Sequence, residues 1–527
     1  MRKYILVLLS ILITVVCNAQ KKEPPIKPFS QDELSDAKHE ASTLFKSENY
    51  RMAKTFYERL LVNDPKDVDF NYRLAICFLN TNINKAKAIP LLEYVVNANS
   101  KDIPKDALFD LGRAYHYGNL FEKANETFER YRESKKGSVD SKLKFDLWVE
   151  WSHKAKEMTE NPIAVSFENL GKAINSPTAD YKPVIGANDS VVYFSSARKG
   201  NTGGLTDDLG DIPADVFYFT QGDSSRSKAK NAGTNINTAF YEECLNLNMN
   251  GDRMIIYMEG EVQGDLFIAD LKGKQWNKSV SMGKSFVTKS FETGATLSPD
   301  GLTLYFSAEA DGSKTGKDIY KCTRTLQTDW SKPERLGDNI NTKEDEDCPY
   351  LWLDGKTLFF SSKGWPGMGG YDIFKSVMNS PSEGFGKPEN IGYPLNSTYD
   401  DLGIALTVNG KSAYISQVRD SGFGESDIYK VTLMEPLVTE KLCLLSVLAL
   451  SPVNTAAKGA IVTVNNSSSG DLVFTCETND ASGKFDVALP TGAYKVAIRH
   501  PKLGKVEEEV LINAVETSKI SMTMQFK

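Results

Sequence analysis

The residue types on which hydrolytic and metal chemistry depends are sparse in this sequence. Its histidines are His39, His116, His153 and His500, so none lies between residues 163 and 433. The sequence contains neither a Gly-x-Ser-x-Gly motif nor a Cys-x-x-Cys pair. The residues and motifs that would indicate a Ser-His-Asp triad or a zinc site are therefore missing from the sequence. We predict that the protein is not an enzyme and has no catalytic residues, no metal site and no cofactor.

Acidic residues recur at one position of a repeated pattern. The pattern contains a two-residue turn at Asp189-Ser190, Asn250-Gly251, Asp300-Gly301, Asp354-Gly355 and Asn409-Gly410. Eight residues before these turns stand Tyr181, Glu242, Glu292, Glu346 and Asp401. If the repeats close into a circle, Glu242, Glu292, Glu346 and Asp401 gather at one mouth of a central channel. There they would attract a cation or a basic loop of a partner. The alternative is that these positions are ordinary polar ends of loops.

The elements around these residues are short strands. Each turn leads into an apolar strand (VVYFSS, MIIYME, LTLYFSA, TLFFSS, SAYISQ), and an Asp-led strand follows, beginning at Asp215, Asp265, Asp318, Asp372 or Asp427. An element such as GDNINT (337–342) precedes four of the five repeats. Sets of about four strands, repeated roughly every fifty residues, are typical of a β-propeller. We predict five blades over residues 163–433, with a sixth possible, and a turn-fixing role for the repeated aspartates.

The region before the propeller has helical periodicity. In residues 31–160 the pattern of a tetratricopeptide repeat occurs three times, most clearly at Gly112, Tyr115, Ala124, Phe128 and Tyr131. Such repeats stack as antiparallel helix pairs and form an all-α solenoid. The first helices would present Phe45, Tyr72, Phe109, Arg113 and His116 as a groove for a partner peptide or helix. The alternative is that these side chains pack between helices.

The N-terminus resembles an export signal. Arg2 and Lys3 precede an apolar run too short to span a bilayer comfortably, and Cys17-Asn18-Ala19 offers small residues for cleavage. We interpret residues 1–19 as a signal peptide and 20–30 as a Pro-rich lead, with lipidation at Cys17 as the alternative. The formal net charge of -7 argues against nucleic-acid binding.

Residues 440–527 predict a small β-sandwich. Short alternating strands lie between Gly, Asn and Ser turns, and SGKF-x-V-x-LP-x-G-x-Y-x-V (482–496) resembles the carboxypeptidase regulatory-like domain. Cys443 and Cys476 are the two cysteines of this region. They are candidates for a disulfide, and isolated buried thiols are the alternative.

The order of these modules is more specific than any one of them. SPDG-x-x-LYFS (298–307) with a later DIY resembles the TolB-type propeller repeat. The series of signal, tetratricopeptide stack, propeller and regulatory-like sandwich resembles PorE-type proteins of the type IX secretion and gliding apparatus of Bacteroidota. The resemblance implies a periplasmic scaffold that docks to an outer-membrane β-barrel of the PorP/SprF type and to other secretion components. That group usually continues into an OmpA-like domain, whose pattern we do not find, so contact with peptidoglycan is in doubt.

A second hypothesis is a propeller that binds a glycan or a cation. The Gly-rich segment GWPGMGGY (364–371) contains Trp365 and Tyr371, whose rings would stack on a sugar. The alternative is that both rings cover the edge of a blade.

Overall fold

The structure is a computed structural model. It describes residues 26–527 except 83, 99, 102, 136–138, 188, 207–211, 223–227, 261–263, 284–291, 310–314, 480–481 and 516–517. The predicted signal peptide and Cys17 lie outside the described residues, as does the first part of the Pro-rich lead. No helix in the described part of the chain has the length and apolar character that a membrane crossing requires.

Helices occupy the N-terminal part of the described chain, as predicted. They are Leu34–Lys46 (α1), Tyr50–Asn63 (α2), Val68–Leu79 (α3), Ala88–Asn97 (α4), Ala107–Tyr117 (α5), Phe121–Ser134 (α6) and Phe145–Glu160 (α7), with short 3₁₀ turns at Lys85–Lys87 and Ser141–Leu143. The side chains of Asn49 and Asp67 cap α2 and α3, accepting from the backbone N–H groups of Met52 and Phe70.

The small residue at position 112 allows two helices to pack closely. A Cβ atom at Gly112 of α5 would lie 2.5 Å from the ring of Phe128 in α6. Phe128 is fully buried in a core that also contains Ala124 and Tyr131. The sequence pattern therefore identified the residues on which this helix pair depends.

A series of antiparallel sheets follows the helices. The first strands are Val165–Asn169 (β1), Asp180–Ile185 (β2), Val191–Ser196 (β3), Asp215–Thr220 (β4), Lys230–Asn231 (β5), Glu242–Leu247 (β6), Arg253–Glu259 (β7), Gly264–Lys272 (β8), Gln275–Trp276 (β9), Val280–Ser281 (β10) and Glu292–Leu297 (β11). The next are Thr303–Ala308 (β12), Asp318–Thr323 (β13), Glu334–Arg335 (β14), Glu346–Leu351 (β15), Thr357–Ser362 (β16), Asp372–Ser380 (β17), Gly384–Phe385 (β18), Glu389–Asn390 (β19), Ala405–Leu406 (β20), Ser412–Gln417 (β21) and Asp427–Leu433 (β22).

These strands form five sheets within the described residues. The first strands of successive sheets, β2, β6, β11 and β15, pack beside one another, and β2 also packs beside β20 and β21 of the last sheet. Strand β1 pairs with β22, so the strand that enters the region completes the sheet that ends it. This circular order of sheets is that of a β-propeller.

The element that recurs before four of the five sheets has a clear structural role. Its asparagine, as in Asn341, accepts from the backbone N–H of Ile319 at 2.7 Å and donates to the carbonyl of the same residue at 3.0 Å. Asn175, Asn237 and Asn396 make the same pair of bonds with Ile428, Val216 and Ile373. Each asparagine therefore ties the start of one sheet to the Asp-led strand of the sheet before it.

Two further sheets follow. Their strands are Cys443–Leu450 (β23), Ile461–Asn466 (β24), Leu472–Glu477 (β25), Lys484–Leu489 (β26), Gly492–His500 (β27), Gly504–Ile512 (β28) and Lys519–Gln525 (β29). One sheet has the order β26-β23-β29 and the other β25-β24-β27-β28, and both contribute to one apolar core. Cys443 and Cys476 lie in different sheets as free thiols. The domain contacts the propeller through Asn250, whose side chain accepts from the backbone N–H of Asp486 at 2.9 Å.

Candidate binding site at the propeller mouth

The acidic column predicted to surround the channel is buried. Glu242, Glu292 and Glu346 are fully inaccessible to solvent and Asp401 is 1% exposed. Glu346 accepts from the backbone N–H of Thr342 at 2.7 Å and from the hydroxyl of Ser362 at 2.6 Å. Glu242 and Asp401 bind the N–H groups of Thr238 and Ser397 in the same way. In this structure these three carboxylates fix their own loops, and none of the four forms an exposed ring.

The column begins one residue earlier in the first repeat than predicted. Asp180, not Tyr181, accepts from the backbone N–H of Ser176 and pairs across the sheet with Ser196, as Glu346 pairs with Ser362. The positive φ of the turn falls on Asp189, where later repeats have a glycine such as Gly301. The prediction placed the turn of the first repeat one residue too late, at Asp189-Ser190. The residue eight positions before it, Tyr181, was therefore also one residue too late.

The raised pKa values of these carboxyls predict a pH-dependent stability. Burial raises the pKa of Glu346 to about 7, although Ser362 and Thr342 bond to it, and burial raises that of Glu242 and Asp401 to about 7. Between about pH 4 and 7 the unfolded chain loses these protons while the native protein keeps them. Stability should therefore fall as the pH rises through this window and level off above it.

The measurement is urea denaturation at pH 5 and pH 8. Glu346→Gln should reduce the loss of stability between the two by about 1–2 kcal/mol, because one titrating group is gone. Glu334→Gln, at an exposed position, is the control and should leave the loss unchanged. An equal loss in the Glu346→Gln variant would contradict the assignment.

The residues that meet at the mouth include those one or two positions further along the first strands. Lys182 donates to Glu243 at 2.5 Å and to the carbonyl of Thr293 at 2.9 Å, so its side chain reaches the two following sheets. Lys317 donates to Asp347 at 3.0 Å. Burial alone would raise the pKa of Asp347, but Lys317 and Lys182 lower it to about 2. The mouth is therefore a network of paired charges and not a negative ring.

Lys182 holds a backbone conformation that side chains rarely adopt. Its φ is 48°, and Cys348, at the equivalent position of β15, has a φ of 50°. Such angles cost a non-glycine residue on the order of 1 kcal/mol. The ammonium of Lys182 neutralises Glu243, at the place where a free cation would otherwise do so. This geometry disfavours the cation-binding hypothesis.

We expect Lys182→Met to lower the free energy of unfolding by about 2 kcal/mol, because Glu243, whose side chain is 13% exposed, would lose its partner. Denaturant unfolding measures this loss. Lys411→Met, at an exposed turn, is the control. Adding Glu243→Gln to Lys182→Met should recover part of the loss, whereas a further, additive loss would show that the two side chains are not coupled.

The five predicted groove residues divide into two groups. Phe109 is 2% exposed and packs against Phe128 and Tyr131, and His116 is fully buried, so neither faces an open groove. Burial lowers the pKa of His116 to about 3. The other three are partly exposed: Phe45 packs on Tyr57, Tyr72 donates to Asp110 at 2.9 Å, and Arg113 pairs with Asp110 at 3.0 Å. Peptide binding by these three stays a prediction.

The helical region lies against the propeller, a contact that the sequence did not reveal. Met368, from the Gly-rich segment 364–371, is fully buried among Phe121, Ala155 and Met158. A Cβ atom at the next residue, Gly369, would lie 2.7 Å from Nε2 of His116. The segment therefore inserts between helices. Tyr371 is 7% exposed, so its ring is not open to a sugar, whereas Trp365 is partly buried and its indole N–H donates to the carbonyl of Ile340.

A second propeller loop completes the contact. The ring of Tyr399 lies 5.5 Å from that of Tyr117, and its hydroxyl accepts from the backbone N–H of Lys85. The ammonium of Lys85 lies over both rings. The residue as a whole is 8% exposed, and burial lowers the pKa of Lys85 to about 8. Arg51 of α2 pairs with Glu425 at 2.5 Å.

A cavity of about 490 Å³ remains between the helices and the propeller, and we call it the mouth chamber. Its helical side contains Arg51 and Asn82. Its propeller side contains Tyr181, Tyr241 and Tyr399. No single module forms this chamber, so a search of either module's sequence pattern would miss it.

Comparisons with known proteins agree with parts of this architecture. A family model of the tetratricopeptide repeat matches residues 106–134, which include α5 and α6. No curated protein matches the chain. A solved structure of TolB from Acinetobacter baumannii is 12% identical over 62% of this chain, with a TM-score of 0.30. The chain spans 65% of the length of that TolB, slightly less than two thirds.

Two other similar structures have different activities in their names. A gluconolactonase from Xanthomonas campestris is 10% identical, covers 52% of this chain and 92% of its own, and has a TM-score of 0.31. Levansucrase from Bacillus subtilis is 10% identical, covers 54% and 91%, and has a TM-score of 0.34. At these scores the assignment of a propeller rests on the strand order described above.

Proposed function

We propose that the protein is a non-enzymatic interaction scaffold in which a tetratricopeptide stack is held on the mouth of a five-bladed propeller. The observation that carries the proposal is the contact between them, in which Met368 is fully buried among Phe121, Ala155 and Met158. Tetratricopeptide stacks and propellers are both common platforms for partner proteins. A fixed arrangement of the two would present their remaining surfaces in one geometry and reduce the entropy lost on binding.

We further propose the setting that the sequence resemblance implies. The protein would be exported to the periplasm and associate with the outer membrane through a β-barrel of the PorP/SprF type. It would serve type IX secretion or gliding together with other components of that machinery. The C-terminal sheets would form a carboxypeptidase regulatory-like sandwich that extends the assembly. These statements rest on the order of the modules, and folds alone do not fix function.

The experiment is crosslinking in native cells followed by affinity isolation of the tagged protein and mass spectrometry. Recovery of an outer-membrane barrel together with secretion components would support the scaffold. Recovery of the protein alone, from a soluble fraction, would overturn it. Hydrolysis of peptide or glycoside substrates by the purified protein, lost when a named residue is replaced, would overturn the non-enzymatic assignment.

A further inference from the structure

We infer that the mouth chamber binds a small neutral polyhydroxylated ligand of the size of an oligosaccharide. The inference goes beyond the scaffold role and does not depend on it. The volume of about 490 Å³ lies within the range of small-molecule sites. Like many such sites, the chamber lies at the interface of two modules.

The charges around the chamber cancel. Arg51 and Lys199 are positive, whereas Glu243, Asp400 and Glu425 are negative. The lining alone sums to 2 - 3 = -1, and Lys182, which lies outside the lining, is bonded to Glu243 and offsets this charge. Arg51 and Glu425 also neutralise each other directly. A site with balanced charges gives neither a cation nor an anion the net attraction that it needs.

The tyrosines supply the features that a sugar requires. The hydroxyl of Tyr181 donates to that of Tyr241 at 3.0 Å, which joins two rings of neighbouring sheets into one wall. The third ring, Tyr399, is anchored by the backbone N–H of Lys85. All three rings are half-buried. Rings held in advance cost little entropy when a ligand binds, and they combine an apolar face with a polar edge.

The polar groups of the lining are mostly uncharged or paired. Burial and the nearby Glu243 raise the pKa of Tyr181, so its hydroxyl remains protonated and keeps its bond to Tyr241, while its oxygen can still accept from a ligand. Asn82 is exposed on the helical side, and Ser416 lies on the propeller side. Carboxylate, amide and hydroxyl groups around aromatic faces match the alternating hydroxyl and C–H surface of a saccharide. The location differs from the Gly-rich segment that the sequence suggested.

The test is isothermal titration calorimetry of the full-length protein with maltotriose, cellotriose and triacetylchitotriose, extended to an array of neutral oligosaccharides. We expect saturable binding of at least one of them.

Tyr241→Ala should weaken binding at least tenfold by removing part of the wall. Asn82→Trp should do the same by filling the chamber from an exposed position, where a change of fold is not expected. Phe240→Ala, adjacent to Tyr241 and 38% exposed, is the matched control and should bind normally.

Three results would overturn the inference. The first is no binding to any oligosaccharide of the array. The second is equal binding by the wild type, Tyr241→Ala and Asn82→Trp, because the ligand would then lie elsewhere. The third is binding of tetramethylammonium or lysine but of no saccharide, because the chamber would then be a cation site.

Discussion

Replacing Met368 by aspartate should release the helical region from the propeller while both remain folded. The side chain of Met368 is fully buried in an apolar cluster that is formed across the contact. Truncating such a side chain costs about 2–5 kcal/mol, and a carboxylate in its place adds the cost of burying a charge. The remaining links, chiefly the Arg51–Glu425 pair and Tyr399, are partly exposed to solvent. They should not hold the contact alone.

Hydrogen exchange and small-angle scattering measure this release. The variant should lose protection in α5, α7 and residues 364–371 and should have a larger radius of gyration, with unchanged helix content by circular dichroism. Met434→Asp, at a position 72% exposed, is the matched control and should behave as the wild type. Met368→Ala should give an intermediate result. Unchanged exchange in the Met368→Asp variant would mean that the contact does not hold the two regions together.

The second large effect is expected at Asn341. Its replacement by alanine should lower the free energy of unfolding by about 3 kcal/mol. The substitution leaves the buried N–H of Ile319 without its partner, which costs about 1–3 kcal/mol, and it removes one of the two donors to the carbonyl of Ile319, the other being the N–H of Leu336. The substitution would weaken the connection between the third and fourth sheets, because Asn341 precedes β15 and Ile319 lies in β13.

Asn339, two residues earlier in the same element, provides a matched control. It is exposed and donates one bond, to the carbonyl of Phe385. Asn339→Ala should therefore cost less than about 1 kcal/mol. Asn341→Asp keeps the acceptor but places a buried carboxylate against the carbonyls of Ile319 and Leu336, so its cost at neutral pH should be at least that of Asn341→Ala. Equal denaturation midpoints for Asn339→Ala and Asn341→Ala would contradict the role assigned to the repeated asparagine.

The sequence predicted the order of elements well because that information is local and repeated. Turn residues with positive φ, such as Gly301, and the spacing of Gly112 and Phe128 are constrained by the backbone of one repeat. The turn-fixing role predicted for the aspartates also fits, since Asp372 accepts from the N–H groups of Met368 and Gly369. The pattern of a single repeat carries all of this.

The candidate site could not be read in the same way because it depends on which residues meet across repeats. An acidic residue at the start of an inner strand has two options, namely to face the channel or to bind its own loop. Glu346 binds its own loop because Thr342, four residues earlier, offers it both a backbone N–H and a hydroxyl. The recurring Ser or Thr four residues before each column acid was the available signal, in GDNINT and its counterparts.

The sequence contains no comparable signal for the network of paired charges at the propeller mouth or for the mouth chamber. Lys182 reaches Glu243 and Thr293 from a different sheet, over 61 and 111 residues of sequence. Met368 and Tyr399 contact the helices from loops whose sequence resembles ordinary turns. The position of the helices on the propeller depends on these distant contacts, and local periodicity does not encode them.

The most direct test of the scaffold is site-specific photo-crosslinking in living cells. A photoreactive residue would replace Tyr94 on the helices, Phe423 on the propeller or Leu511 in the C-terminal domain, positions that are 39%, 39% and 77% exposed. We expect at least one position to capture an outer-membrane barrel, and Met368→Asp to reduce that capture by disturbing the fixed geometry. Absence of any captured protein at all three positions, with the chain recovered as a free soluble species, would contradict the account.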